Sequence, residues 1–183
     1  MLRLSIIKNI LIICIGSSIV AGLAVLTIPG LSVVPYTLSL LFRHAPTKLP
    51  VPVEGVQASR LVDTWGGPRS GGRRHEGIDI FGKRGTKIRS TTEGVVTTVG
   101  DNRLGGHSVW VIGPGGYFHY YAHLEKYGDV KRGQRIHTGH VIGTVGDSGN
   151  AKGTPPHLHY GIYKLSGGAN NPYPLLKPKS RLR

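Results

Sequence analysis

The chain has 183 residues, enough for one modest domain and an N-terminal extension. Its single cysteine, Cys14, excludes a disulfide framework within the chain, so an apolar core or a metal must hold the fold together. The net charge of +14 favours a polyanionic partner: nucleic acid, anionic lipid or an acidic wall polymer. No segment has the pattern of a nucleic-acid-binding module, so we expect no nucleic-acid partner.

The N-terminus has the composition of a membrane segment. Residues 9–42 contain no Asp, Glu, Lys or Arg, and residues 10–28 are almost wholly apolar. That run is long enough to cross a hydrocarbon core of about 30 Å as a helix. Arg3 and Lys8 precede it, as in a signal peptide or a signal anchor. Because a cleaved signal has a shorter apolar region, we predict one uncleaved transmembrane helix within residues 1–42.

The rest of the chain divides into three parts by composition. Residues 43–58 contain three prolines and are predicted to form an extended linker. Residues 59–176 are dense in glycine and in short runs of β-branched and aromatic residues, which is typical of a β domain. Residues 177–183 form a basic tail. The anchor, or a cleaved signal in its place, would put all three parts on the periplasmic or extracytoplasmic side, in the cell envelope.

Six short segments of the domain have the composition of strands, and glycine-rich or Asp-Asn turns separate them. No stretch after residue 60 keeps a helical period over eleven or more residues. We therefore predict an all-β fold, a small antiparallel sandwich or barrel-like sheet. The predicted strands are Gly77–Phe81, Gly94–Val99, His107–Ile112, Tyr117–His123, His140–Val145 and His157–Tyr163.

Some of the nine histidines are spaced so that they can converge. Side chains two apart on a strand project to the same face, so His157 and His159 must point together. His75 and Asp79 are four apart, but the glycine and the apolar run that follow His75 favour a loop entering a strand. From the two sides of that bend, His75 and Asp79 could still converge.

Two histidines and one carboxylate leave a fourth tetrahedral position open for water, which is the pattern of a catalytic zinc site. The lack of cysteine ligands excludes a closed, thiolate-rich structural site. On spacing alone, a pair of exposed histidines without metal explains the His-x-His strand equally well. Glu76 does not create a His-Glu-x-x-His helix, because the last position of that pattern is Asp79.

Three motifs, in order along the chain, resemble peptidase family M23, the lysostaphin-type or LytM-like zinc metallopeptidases. That family has a His-x-x-x-Asp motif leading into a strand, then Tyr-Ala-His-Leu, then His-Leu-His. The matching segments here are 75–80, 121–124 and 157–160, and the resemblance covers roughly residues 64–176. It implies a small antiparallel β fold with a groove, in which peptide bonds of bacterial peptidoglycan are cleaved.

The resemblance also implies a role for each residue. His75, Asp79 and His159 would bind Zn²⁺, and His123 and His157 would be the catalytic pair beside it. Zinc activates water and polarises a carbonyl, and an imidazole that titrates near neutrality can move the proton. Some relatives of this fold have lost such residues and only bind or activate other wall hydrolases. This chain retains all five, which favours an enzyme over that non-catalytic module.

Three features around the motifs differ from the family pattern or leave alternatives open. Gly161 stands where the family commonly has Glu, and residues 69–74 lack the Tyr that some members carry before the first histidine. An oxyanion would then be stabilised by the histidine pair or by an arginine. His119 shares strand parity with His123 and could line the groove, although a single strand histidine is more often structural or exposed.

Overall fold

A computed structural model describes Cys14 and residues 33–177 of the chain. The predicted membrane segment, residues 10–28, lies outside the described residues apart from Cys14. Within the described part, no helix is long and apolar enough to cross a membrane.

The described chain forms ten strands and two short helices. The helices are α1 (Val34–Leu41) and α2 (Tyr173–Leu176). The strands are β1 (Ile78–Phe81), β2 (Lys87–Arg89), β3 (Gly94–Asn102), β4 (Gly106–Ile112), β5 (Phe118–Ala122), β6 (Leu124–Tyr127), β7 (Arg135–Ile136), β8 (Val141–Val145), β9 (His157–Tyr163) and β10 (Ala169–Asn170). The prediction of a mostly antiparallel β fold is confirmed, and all six predicted strands are present.

Two antiparallel sheets make up the domain. The larger has seven strands in the order β1-β9-β5-β4-β3-β7, with β10 added to the edge of β9. The smaller has the order β2-β8-β6. Strands β2, β6, β7 and β10 were not predicted, because each has only two to four residues and charged residues make up half or more of β2, β6 and β7.

The core lies between the two sheets. Strand alternation turns one face of the larger sheet inwards, with Ile78, Val109, Val111 and Leu158 fully buried, against Ile142 of the smaller sheet. Burying each such side chain contributes roughly 1.5–3 kcal/mol. The opposite face of the larger sheet, here called the outer face, points away from this core. Along β9 it carries His157, His159, Gly161 and Tyr163, by the same alternation.

The segment before the domain packs more closely than a linker would. Leu40 of α1 is fully buried in a small second cluster with Val95 and Ile112, at one end of the outer face. Further on, the N–H of Leu49 donates to the carbonyl of Leu175 at 2.9 Å, and Val53 is buried in the main core. Residues 43–58 thus also contribute to the domain, because their side chains Leu49 and Val53 fill its edge.

Candidate metal centre and active site

Two neighbouring strands carry three of the five predicted site residues. Strands β1 and β9 pair with Asp79 opposite His159 and Phe81 opposite His157. This register sets the carboxylate of Asp79 against both histidines on the outer face. Its Oδ1 atom lies 3.2 Å from Nδ1 of His159 and 3.9 Å from Nε2 of His157.

His75 enters the same cluster from the loop before β1. Two backbone hydrogen bonds close this loop. The N–H of Gly66 donates to the carbonyl of His75 at 2.9 Å, and the N–H of His75 donates to the carbonyl of Gly67 at 2.8 Å. Nε2 of His75 lies 3.1 Å from Oδ1 of Asp79 and 2.8 Å from Nδ1 of His159. The predicted convergence of His75 and Asp79 across a bend is therefore present.

The three predicted metal ligands form a suitable donor set. One donor atom each from His75, Asp79 and His159 lies within 4.8 Å of the others, and residues 33–177 contain no second group of this kind. A tetrahedral zinc with bonds of about 2.0–2.2 Å keeps its ligands about 3.4 Å apart, close to the contacts of 2.8–3.2 Å seen here. Two imidazoles and one carboxylate fit zinc and leave a coordination position for water.

Backbone carbonyls determine which nitrogen of three histidines faces the cluster. Each Nδ1 lies beside a carbonyl oxygen: His75 at 2.7 Å from Thr64, His123 at 2.8 Å from Ser148, and His157 at 2.8 Å from Pro155. A carbonyl only accepts, so each Nδ1 donates and the Nε2 of a neutral ring carries the lone pair. His75 can therefore bind a metal through Nε2, and His123 and His157 can accept a proton there.

His123 reaches the outer face through an uncommon backbone conformation. It directly follows β5, and its φ of 63° is the one positive value of a non-glycine residue in the described chain. Regular strand parity would place its side chain in the core beside Tyr121. Instead its ring centroid lies 5.1 Å from that of His157 and 5.9 Å from that of His159. Such a conformation costs about 1–3 kcal/mol and is concentrated at functional sites.

The protonation of the cluster suits a metal site. Burial lowers the pKa of His123 to about 4 and lowers the pKa of His159 from its ordinary value. Burial alone would raise the pKa of Asp79, but the imidazole rings of His159 and His75 beside its carboxylate outweigh this effect and hold that pKa far below its usual range. At neutral pH, Asp79 is thus anionic while His123 and His159 are neutral, the forms that can bind a metal or accept a proton.

Arg69 contacts the same carboxylate from the other side. Its guanidinium donates to Oδ2 of Asp79, whereas Oδ1 faces the histidines. The backbone N–H of Asp79 donates to the hydroxyl of Thr64 at 3.0 Å. These contacts fix the carboxylate with one oxygen directed at the cluster, so Asp79 can serve as a monodentate ligand.

His119 lies on the core face, so the alternative in which it lines the groove is wrong. It is almost completely buried, with Nδ1 at 2.7 Å from the hydroxyl of Tyr160 and 3.2 Å from that of Thr91. Its Nε2 has no hydrogen-bond partner among the described residues. Burial lowers the pKa of His119 to about 3, so the ring is neutral at physiological pH.

The residues that orient the cluster were missed in the sequence. The carbonyls of Thr64, Ser148 and Pro155 give no sequence pattern, because every residue has one. Gly77 did offer a pattern, a glycine inside the His-x-x-x-Asp motif. A Cβ atom there would lie 2.7 Å from Cε1 of His159, so only glycine lets the two motifs approach this closely.

Relatives of this chain share its fold and much of its sequence. The L-Ala–D-Glu endopeptidase of Bacillus subtilis (strain 168) is 43% identical over 143 residues, covering 72% of this chain and 43% of the relative. The catalytic domain of the antimicrobial peptidase lysostaphin from Staphylococcus simulans has a TM-score of 0.59 at 30% identity, covering 66% of this chain and 95% of that one. Helicobacter pylori Csd3 has a TM-score of 0.59 at 28% identity, covering 76% and 38%.

This chain spans less than half the length of the curated Bacillus relative. Its residues 73–172, more than half of its own length, match the model of peptidase family M23. The match includes all five residues of the cluster on the outer face. This chain therefore belongs to peptidase family M23.

Proposed function

We propose that this chain is a zinc-dependent endopeptidase that cleaves peptide bonds in the cross-linked peptides of bacterial peptidoglycan. The observation that carries the proposal is the convergence of His75, Asp79, His159, His123 and His157 on one face of the sheet. A relative that is 43% identical is named for hydrolysis of the L-Ala–D-Glu bond, which supports a peptidoglycan substrate.

We assign the roles by position in the cluster. His75, Asp79 and His159 hold the metal through Nε2, Oδ1 and Nδ1, the atoms that converge. When bound, zinc lowers the pKa of a water molecule towards 7 and polarises the scissile carbonyl. Nε2 of one of the pair His123 and His157 would take a proton from the attacking water as its oxygen bonds to the carbonyl carbon, and Nε2 of one of the pair would give a proton to the leaving amine as the C–N bond breaks.

The alternative is a non-catalytic module that binds or activates other wall hydrolases. Such a module has no need of a complete proton-transfer pair beside its ligands. Here the two rings of that pair lie 5.1 Å apart, and each is held by its own backbone carbonyl. The strained φ of His123 also argues for function, since a module without chemistry gains nothing from that conformation.

The proposal is tested by incubating purified chain with peptidoglycan and analysing the soluble fragments. New peptide termini should be released by the chain, lost with a chelator and restored by added zinc. The matched control is the His123→Ala variant, which should be inactive with its zinc retained. Fragments that appear equally with the chelator would contradict the zinc enzyme, and no fragments from a zinc-loaded chain would favour the module.

We further propose that residues 10–28 anchor the chain in the membrane, with the domain on the extracytoplasmic side. Helix α1 has an exposed apolar side. Its side chains Val34 and Leu38, and that of Phe42 directly after the helix, are exposed. They are spaced four residues apart, so they lie on the same side of the helix. A helix that lies beside a bilayer can keep such a stripe in contact with the membrane interface. This arrangement also places the domain where peptidoglycan is found.

A further inference from the structure

An aromatic cluster lies on the outer face beside the metal ligands. The ring of Tyr120 is 5.9 Å from that of His159, and Trp110 stacks on Tyr120 at 4.2 Å with an interplanar angle of 28°. Tyr163 contacts both, at 5.2 Å from Trp110 and 6.4 Å from Tyr120. Trp110 and Tyr163 are partly exposed. These three residues are called the aromatic patch below.

Gly161 leaves the space that the ring of Tyr163 occupies. It lies on β9 between His159 and Tyr163, opposite Tyr120 on β5. A Cβ atom at position 161 would lie 2.8 Å from Cε2 of Tyr163, so the tyrosine ring occupies the space that a side chain would need. Position 161, where the family commonly has Glu, therefore carries no carboxylate in this chain, and the ring of Tyr163 covers this part of β9.

The patch is uncharged. The positions of β4, β5 and β9 that share its face beyond the histidines are Ser108, Trp110, Ile112, Phe118, Tyr120, Ala122, Gly161 and Tyr163. Burial raises the pKa of Tyr163 to about 12, so its phenol stays neutral. A carboxylate of the wall peptide finds no cation among these side chains, whereas a neutral ring with an apolar face can pack on them.

From this geometry we infer that the aromatic patch binds the sugar ring that carries the stem peptide of peptidoglycan. The inference rests on the proposed function and narrows it to the bond next to the first stem residue. In the wall polymer, the amine of L-Ala is joined to the lactyl group of an N-acetylated sugar. Cleavage on the carboxyl side of L-Ala therefore leaves one residue, about 3.5 Å of chain, between the reacting carbonyl and that group.

The distances on the outer face agree with so short a separation. The patch begins at Tyr120, directly beside His159, and ends one stacked ring further, at Trp110 and Tyr163. Beyond it, α1 covers Ile112, so the exposed part of this face has room for little more than one ring. A bond further along the stem peptide would place the sugar several residues away and beyond the patch.

The test compares two substrates with the same scissile bond. One is N-acetylmuramoyl-L-Ala-D-Glu-L-Lys, and the other is the same tripeptide with an N-acetyl group in place of the sugar. We expect the zinc-loaded chain to have a kcat/KM about tenfold or more higher for the sugar-bearing substrate, mainly through KM. Trp110→Leu should remove this preference and leave hydrolysis of the acetylated peptide within about twofold, whereas Trp110→Phe should keep most of it. Equal kcat/KM values in the wild type, or a preference that survives Trp110→Leu, would overturn the inference and leave the proposed function intact.

A binding measurement separates the inference from the proposed function. The peptide-free disaccharide of the glycan strand, with its lactyl carboxyl group converted to the uncharged amide, is titrated into the metal-free full chain, and tryptophan fluorescence is recorded. We expect a saturable change that Tyr163→Ser abolishes, with a single cooperative thermal unfolding transition as evidence that the variant is folded. No change in the wild type would overturn the sugar site. A chain that binds the disaccharide but cleaves no wall substrate would contradict the proposed function alone.

Discussion

The proposed roles divide the side chains of the cluster on the outer face into metal ligands and proton-transfer groups, and single substitutions distinguish the two. Replacing His75, Asp79 or His159 with Ala should each lower the bound zinc, because two protein ligands remain where three are needed. Replacing His157 with Ala should retain stoichiometric zinc while kcat falls by roughly 10²–10⁴, the usual effect of removing a general acid–base group. Elemental analysis of each purified variant gives the zinc content, and full occupancy in His159→Ala would contradict the ligand assignment.

The same pair of histidines can be separated by pH. Because His157 is assigned to proton transfer, the bell-shaped profile of kcat/KM should lose one limb in His157→Ala. The limb set by the activated water should remain, since the three ligands are untouched. Loss of metal from His157→Ala with retention in His159→Ala would instead exchange the two roles and leave the reaction class unchanged.

His119 should make the domain less stable in acid. Its pKa is about 3 in the folded chain and about 6.5 when unfolded, so the unfolded chain binds the proton first as the pH falls. Its contribution to the free energy of unfolding is therefore complete above about pH 6.5 and decreases steadily as the pH falls towards about 3. Urea titrations between pH 7 and 4 should show a smaller decrease in His119→Gln, and identical slopes in both proteins would contradict this account.

At the scale of strands and loops, the approach of β1 to β9 depends on a glycine. In Gly77→Ala, the new Cβ would meet the carbonyl of Tyr160 at 2.6 Å and the ring of His159 at 2.7 Å. His159 must then shift, and we expect zinc affinity to fall by roughly 10–100-fold, the usual effect of disturbing the support of a ligand. Gly100→Ala is the matched control, since nothing lies within 4 Å of a Cβ at that strand position. Chelator competition should show equal affinity for zinc in this control and the wild type.

Strand patterns predicted most of the fold but only part of the site. The alternation of β9 was sufficient to place His157 and His159 together, because parity holds along an unbroken strand. The same rule fails at His123, where the positive φ after β5 turns the side chain to the other face. For His119 the rule left two possibilities open. Strand parity shows which residues share a face of the sheet, but it does not show which face is turned to the core. Short strands such as β2 and β7 give no pattern long enough to recognise.

The proposed orientation of the whole molecule depends on its N-terminus. If residues 10–28 span the membrane with Arg3 and Lys8 inside, everything after them lies outside the cytoplasm. A reporter that is active only in the cytoplasm, fused after Arg183, should therefore stay inactive in cells. A periplasm-active reporter at the same position serves as the control and should be active. Strong activity of the cytoplasmic reporter would contradict the proposed topology.

The close packing of α1 on the domain limits how far the domain of an anchored chain would reach from the membrane. Five residues, 29–33, separate the apolar run from α1, and they span at most about 18 Å when fully extended. Residues 43–58 do not lengthen this connection, because the buried side chains of Leu49 and Val53 hold that segment against the domain. A domain of this size has a radius of gyration of about 15 Å, so an anchored chain keeps its active face within a few tens of ångströms of the bilayer. Such an enzyme would act on the layer of wall nearest the membrane and leave the outer layers intact.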